Sequence, residues 1–445
     1  MSVGTVGIVL VALAAFAWGP LASSSSPTVP PAAGSAAAVA SGSPAPASGA
    51  RAMQSPVPGA TSQATPTPDP SLVASRLQLA LDRVRAKYSI PGVSVAIIWD
   101  DGRTWVGASG LRNVATGDPM TSGTAFALAS ISKTFTAAVV LQLVEEGRLS
   151  LDAPVAPLLP TYKLDRRITL RMLLDHTSGL PDFFFGKGID AALRRSPNAS
   201  WTPLQSWSYV PSPHATPGKS WYYSNTNYLL LGELVTAVTG RPLAVEIRTR
   251  LLDPLGLTTA YYQAVEQPRE AGTLAYELLA KAGGGWTARR VAPASDVMPF
   301  RSVVTAAVGA GSLAATALDT ARWMRAWAGG QVLGPDMQAQ MLADVARTVK
   351  LHAAIPYGLG IQRVTLNGYT ALGHTGRYLG IRNMVRYLPQ AGVTIAVLTN
   401  QSLWDPNRIA STLLRIVLPT PSPSPSAAAS GSPGAPAASP SPSPS

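Results

Sequence analysis

The chain has 445 residues, with 35 Lys and Arg against 23 Asp and Glu, four histidines and no cysteine. Without cysteine there is no disulfide, no thiolate chemistry and no lipid attached through a thiol, so the core is held by packing alone. The net charge of +12 is scattered rather than gathered into a basic stripe with interleaved aromatics, which excludes nucleic acid as the expected partner and leaves open attraction to an anionic cell surface.

At the N-terminus, residues 6–18 form an apolar run followed by small residues. It is too short for a full membrane span and has the length of a signal-peptide core. No Lys or Arg precedes it, and the first basic residue is Arg51. Residues 1–22 are therefore a signal peptide or, alternatively, an uncleaved N-terminal anchor, the one expected route to a membrane. Either places the protein outside the cytoplasm, secreted or associated with the cell envelope. Residues 23–70 and 420–445 are almost wholly Ser, Pro, Ala, Thr and Gly. They lack the apolar area that offsets the entropy of ordering, and both read as disordered. About 350 residues, 71–419, remain for one large domain, expected to be a monomer.

Within that domain, Leu72, Arg76, Leu79, Ala80, Arg83, Val84 and Lys87 alternate at helical spacing, predicting an amphipathic helix over 71–88 that Pro91-Gly92 stops. VSVAIIWDDGRTWVGASG then reads as a hairpin turning at Asp101-Gly102. Residues 150–300 are rich in Leu, Pro and Trp at helical periods, without clear strand repeats, and predict a mostly helical inserted lobe. Thr316-Ala317-Leu318-Asp319 is a capping box opening a helix. YTALGHTGRYLG, IRNMVRYLP and GVTIAVLTN give three further strands, and 407–417 a closing helix. Strands at both ends with helices between predict an α/β (α+β) fold whose one sheet is assembled from distant parts of the chain.

Several chemistries are missing. There is no G-x-S-x-G, no H-E-x-x-H and no Gly-rich phosphate loop before a helix. His176, His214, His352 and His374 lie far apart in sequence, so neither a metal site nor a cofactor is expected. What remains is Ser130-Ile131-Ser132-Lys133, which holds one of only seven lysines. In a helix opening at Ser130, positions i and i+3 share a face, and the positive end of the helix dipole favours developing negative charge. A lysine buried there loses its proton more readily, or keeps its charge and lowers a neighbour's pKa. The apolar stripe Phe135, Val139, Leu143, Val144 makes this a core helix, ending at Gly147. Next comes Tyr223-Ser224-Asn225, where Asn225 is either a helix cap or a substrate-binding amide. A cationic lysine nearby would draw the Tyr223 phenol down from about 10, toward a usable base. Third is Gly373-His374-Thr375-Gly376-Arg377, whose glycines mark either a bulge or a strand that a ligand approaches closely.

Ser-x-x-Lys, Tyr-x-Asn and His-Thr-Gly in this order resemble the penicillin-recognising serine hydrolases, in the branch of class C β-lactamases, D-alanyl-D-alanine carboxypeptidases and related esterases. ITLRMLLDHTSGLPD, PGKSWYYSNTNYLLLGELV and YGLGIQ extend the likeness over nearly the whole domain. The resemblance implies an antiparallel sheet flanked by helices, a helical lobe and a cleft between them. It implies Ser130 as acylated nucleophile, Lys133 as its proton partner and Tyr223 as general base and acid. Asn225, His374, Thr375, Gly376 and Arg377 would bind substrate, with the N–H groups of Ser130 and Arg377 as oxyanion hole. His176 would be structural. The chain departs from class C β-lactamases by placing His374 where they carry lysine, and it has one glycine in Ala310-Gly311-Ser312-Leu313 where the family often has two. The expected activity is hydrolysis of a small ester or a D-amino-acid peptide, with peptidoglycan a candidate substrate. The alternatives are a β-lactamase or an inactive wall-binding member.

Overall fold

The computed structural model describes residues 70–212, 215–291 and 297–418. The apolar run 6–18, all but the last residue of the Ser/Pro-rich stretch 23–70, His214 and the tail 420–445 lie outside them. Helix α1 (Pro70–Lys87) buries Leu77, Leu81 and Val84, while Leu72 and Leu79 of the expected stripe stay exposed.

Strands β1 (Gly92–Trp99) and β2 (Thr104–Asn113) form the expected hairpin, with β3 (Asp118–Pro119) at its edge. Toward the other end lie β4 (Gln362–Leu366), β5 (Tyr369–Tyr378), β6 (Ile381–Leu388) and β7 (Val393–Thr399). All seven join in one antiparallel sheet, ordered β3-β2-β1-β7-β6-β5-β4. The two ends of the domain meet at its centre, where Val93 lies opposite Thr399 and Trp99 opposite Val393. Strand β4 was not expected. Its signal is Asn367-Gly368, both at positive φ (51° and 84°), the pair that a tight two-residue hairpin demands.

The helices that position the site are α2 (Ser132–Glu145), α3 (Asn225–Thr239), α4 (Ala317–Ala328) and α5 (Asn407–Val417). Because side chains alternate along a strand, the sheet has two apolar faces. Val93, Val95, Ile97, Ile395 and Val397 pack with Leu77 and Leu81 of α1 and Ile409 and Leu413 of α5. Ala96, Ile98, Ala396 and Leu398 pack on the other side with Trp323 and Met324 of α4 and the core of α2. Each fully buried leucine here contributes roughly 1.5–3 kcal/mol. Thr316 caps α4 by accepting from the Asp319 N–H at 3.3 Å, but Asp319 does not return the bond as in a capping box. Its carboxylate accepts instead from Thr259 N–H and Oγ1 at 2.8 and 2.7 Å.

The middle of the chain holds short helices, among them Leu170–Leu174, Ile189–Arg195 and Pro203–Trp207. It also holds a hairpin, Tyr276–Ala280 with Trp286–Arg290, which corrects the reading of a segment without strands. The turn Gly283-Gly284-Gly285 was its sequence signal. The hairpin leans on the sheet side: Tyr276 N–H donates to the Gly380 carbonyl and the Tyr276 hydroxyl accepts from Val114 N–H. Among the described residues no single helix is long and apolar enough to cross a membrane.

Candidate active site

Ser130 sits in a 3-10 turn, Ala129–Ile131, that runs directly into α2. Ala129 is held at φ +48°, a left-handed conformation costly for a residue with a Cβ. The surroundings hold it there. Leu128 N–H donates to the Leu313 carbonyl at 2.8 Å, and Asn383 Nδ2 donates to the Ala127 carbonyl at 2.8 Å. Ser132, the other serine of the motif, is structural, its hydroxyl accepting from Leu313 N–H at 3.0 Å.

Strand β5 docks on this turn through Gly376. A Cβ there would lie 2.0 Å from the Leu128 carbonyl oxygen, and one at Gly373 would lie 2.1 Å from the Val385 carbonyl. Of the two readings left open by the sequence, the glycines flanking His374-Thr375 make room here for the protein's own backbone. Strand β4 pairs with β5 only over residues 369–373, so residues 374–378 have no neighbouring strand on that edge among the described residues.

Lys133 is completely buried and uses all three of its donors. Its Nζ lies 3.1 Å from Ser130 Oγ, 2.7 Å from Asn225 Oδ1 and 2.8 Å from the Ala310 carbonyl. Burial lowers its pKa to about 7, opposed by the charge of Asp182. Asn225 does not cap α3 with its side chain. It is a bridge, with Nδ2 donating to Asp182 Oδ2 at 2.6 Å. Asp182 is itself buried, and burial holds its pKa above the ordinary carboxylate value.

Tyr223 is half-buried, and the Ser130 hydroxyl is near enough to act on its phenol. Lys133 Nζ stands 5.0 Å from its ring centroid. The expectation that Lys133 would draw the phenol down is corrected: burial, aided by the Asp182 charge, pushes it well above its ordinary value, and the neighbouring Ser130 hydroxyl only partly offsets this. At neutral pH Tyr223 is a neutral phenol, and Lys133 is the group poised to lose a proton.

His176 packs 4.3 Å, centroid to centroid, from the Tyr223 ring and 4.7 Å from Tyr357. Its Nδ1 accepts from Ser224 N–H at 3.2 Å, which is the structural part the sequence implied. His374 is corrected from a cleft-edge residue to a buried one. Its Nδ1 donates to the Thr375 carbonyl at 2.5 Å and its Nε2 accepts from Tyr357 Oη at 2.8 Å. Burial and the Lys133 charge keep it neutral. Thr375 and Arg377 share a face of the sheet, that of their partners Met384 and Arg382. Their side chains start on the side of the sheet away from Ser130, toward α1 and α5. The Arg377 side chain therefore does not supply a positive charge in place of the lysine that His374 replaces; its backbone is the part next to the nucleophile turn.

A family model described as Beta-lactamase matches residues 77–418. The chain belongs to that family. It is 31% identical over 341 residues to penicillin-binding protein 4 of Amycolatopsis lactamdurans, covering 73% of this chain and 84% of that one. It is 31% identical over 219 residues to esterase EstB of Burkholderia gladioli, covering 46% and 55%. A solved D-stereospecific amidohydrolase from Streptomyces sp. superposes with a TM-score of 0.63 at 27% identity, over 79% of this chain and 98% of that one. The chain spans only 55% to 59% of the length of four curated relatives, EstB and two D-aminopeptidases among them. The β-lactamase-like fold and a serine-hydrolase enzyme class follow from these matches.

In this β-lactamase-family chain, the structure adds Asp182, Ala310 and Tyr357 to the site. Asp182 stood in the quoted DHTSGLPD, yet only the fold shows that Asn225 links it to Lys133. Ala310 acts through its carbonyl and leaves no side-chain signal. No group of three or more His, Cys, Asp or Glu able to hold a metal occurs among the described residues.

Proposed function

We infer that Ser130 is acylated by a small ester or a D-amino-acid peptide, with neutral Lys133 as the base that activates it. One observation carries this reading: Lys133 Nζ is 3.1 Å from Ser130 Oγ with its pKa lowered to about 7. As Oγ attacks the carbonyl carbon, its proton moves to Nζ and the carbonyl oxygen becomes an oxyanion. The N–H groups of Ser130 and Arg377 receive that charge. On collapse, Tyr223 gives its proton to the leaving oxygen or nitrogen and takes one from the Lys133 ammonium, leaving the amine neutral again. Water then attacks the acyl-enzyme by the same steps in reverse. This keeps Tyr223 as the acid and moves the base from its phenol to Lys133.

The substrate reading has separate support. The edge of β5 beside Ser130, which no described strand pairs over residues 374–378, suits an extended peptide that pairs main chain to main chain. The names of the relatives, an esterase and a D-stereospecific amidohydrolase among them, fit an ester or a D-residue. With His374 buried and neutral, no side chain of the third motif places a fixed cation beside a β-lactam carboxylate, so β-lactams are poor substrates. The apolar run at residues 6–18 supports action outside the cytoplasm. The test is kcat/KM on an aryl ester, a D-Ala-D-Ala peptide and a chromogenic cephalosporin. The ester or the peptide is expected to lead, and a cephalosporin ahead by tenfold or more contradicts the substrate reading.

A further inference from the structure

On the face of the sheet away from Ser130, α1 and α5 leave between them a groove of about 870 Å³. Five cations line it: Arg76, Arg83 and Lys87 from α1, Arg408 and Arg415 from α5. All five are exposed. The only acid in the lining is Asp405, which is already engaged by Arg382 at 3.6 Å and by Asn407 N–H at 3.0 Å. Among the described residues none of the five cations forms an ion pair. Arg415 meets only the hydroxyls of Ser411 and Thr412, at 3.4 and 3.5 Å, and Arg408 lies over the Trp404 ring.

The helices run antiparallel here, since Tyr88 at the end of α1 meets Trp404 before α5 with ring centroids 4.8 Å apart. Arg76 thus shares one end of the groove with Arg415, while Arg83 and Lys87 share the other with Arg408. Seven residues separate Arg76 from Arg83, and Arg408 from Arg415, which sets the two clusters about 10 Å apart along the helices. Five like charges gathered in a concavity repel one another unless an anion lies between them.

We propose that this groove binds a linear polyol-phosphate polymer, two or more phosphates of one strand occupying the two cationic clusters. A concave channel fits a strand better than a flat surface does. Its floor includes Leu79, Val84 and Ile416, which suits an aliphatic polyol backbone. Nucleic acid fits less well, because the lining holds a single aromatic, Tyr88, which packs tilted at 42° against Trp404 and lies under the Lys87 ammonium, not the run of open rings on which successive bases stack. The chain's own ends do not complement the site: residues 1–69 carry only Arg51 and Asp69, and residues 419–445 carry no charged side chain. Bound this way, the enzyme is held on a phosphate-rich matrix with its catalytic cleft on the opposite face, free for substrate.

The test uses the purified full-length chain and synthetic poly(glycerol phosphate), followed by titration at several salt concentrations. The variant Arg76→Ala/Arg83→Ala/Arg408→Ala is compared with Arg166→Ala/Arg195→Ala/Arg269→Ala, which removes the same charge from exposed positions elsewhere. The groove variant is expected to bind at least about tenfold more weakly and to lose about three from the slope of log K against log salt. The control should bind like wild type, and aryl-ester turnover should be unchanged in both. Equal weakening in the control overturns the proposal by reducing it to net charge. So does tighter groove-dependent binding of a single-stranded oligonucleotide, or of phosphatidylglycerol vesicles.

Discussion

Replacing Asp182 by asparagine isolates the electrostatics of the proposed base. Asp182 reaches Lys133 through one amide, with 2.6 Å from Asn225 Nδ2 to Asp182 Oδ2 and 2.7 Å from Lys133 Nζ to Asn225 Oδ1. Its charge raises the Lys133 pKa against the burial that lowers it to about 7. Removing that charge lowers the lysine pKa further, by about one pH unit for a partner at this separation. The effect on catalysis follows from the neutral fraction. A lysine at its ordinary 10.5 would be neutral in about one molecule in three thousand at pH 7, against roughly half at a pKa near 7. Only the neutral amine accepts the Ser130 proton, so kcat/KM rises as pH rises through the Lys133 pKa. With a non-titrating aryl ester, the acid limb of wild type should centre near pH 7. In Asp182→Asn it should move down by about one pH unit. The substitution also replaces one of two accepting oxygens by an NH2 donor, so either Phe184 N–H, now bonded at 3.0 Å, or Asn225 Nδ2, now at 2.6 Å, loses its acceptor, at a cost of about 1–3 kcal/mol, and Tm is followed alongside. A limb that stays in place or moves upward in a folded variant refutes the reasoning. A wild-type limb above about pH 9 also refutes it, because that would report a phenolate or an unperturbed lysine.

Two further substitutions probe the proton path and the scaffold. Tyr223→Phe keeps the ring against His176 and removes the hydroxyl, and turnover should fall by about two to four orders of magnitude with the acid limb unmoved; near-wild-type turnover would show that the leaving group takes its proton elsewhere. Gly376→Ala places a Cβ 2.0 Å from the Leu128 carbonyl, so β5 and the Ser130 turn must separate, and kcat/KM should drop at least about tenfold with a lower Tm. Normal kinetics in that variant would mean that the turn tolerates displacement.

Much of the fold was legible because its signals are local. The first hairpin, the strands from Tyr369 onward and the closing helix carry their own periodicity and turns. Strand β4 was missed although Asn367-Gly368 marks its turn, because YGLGIQ was read as a family motif and not as the approach to a strand. The hairpin at Tyr276–Ala280 was hidden in a segment whose composition suggested helix. For the site, Ser130, Lys133, Tyr223 and Asn225 converge from positions nearly a hundred residues apart, and only motif order linked them in the sequence. Their protonation was not legible at all. Reading Tyr223 as the lowered group took account of the lysine charge but not of burial, which acts on both residues and is larger. The faces of His374, Thr375 and Arg377 depend on register: the parity of a strand says which residues share a face, and only the partners Met384 and Val385 say which face that is.

The central claim is that Ser130 is the residue that becomes acylated. A fluorophosphonate probe reacted with the purified enzyme, followed by peptide mass spectrometry, tests it without any assumption about substrate. The account predicts a single adduct on Ser130, abolished in Ser130→Ala and slowed in Lys133→Ala. An adduct on Ser178 or Ser224, or labelling that survives Ser130→Ala, would contradict it.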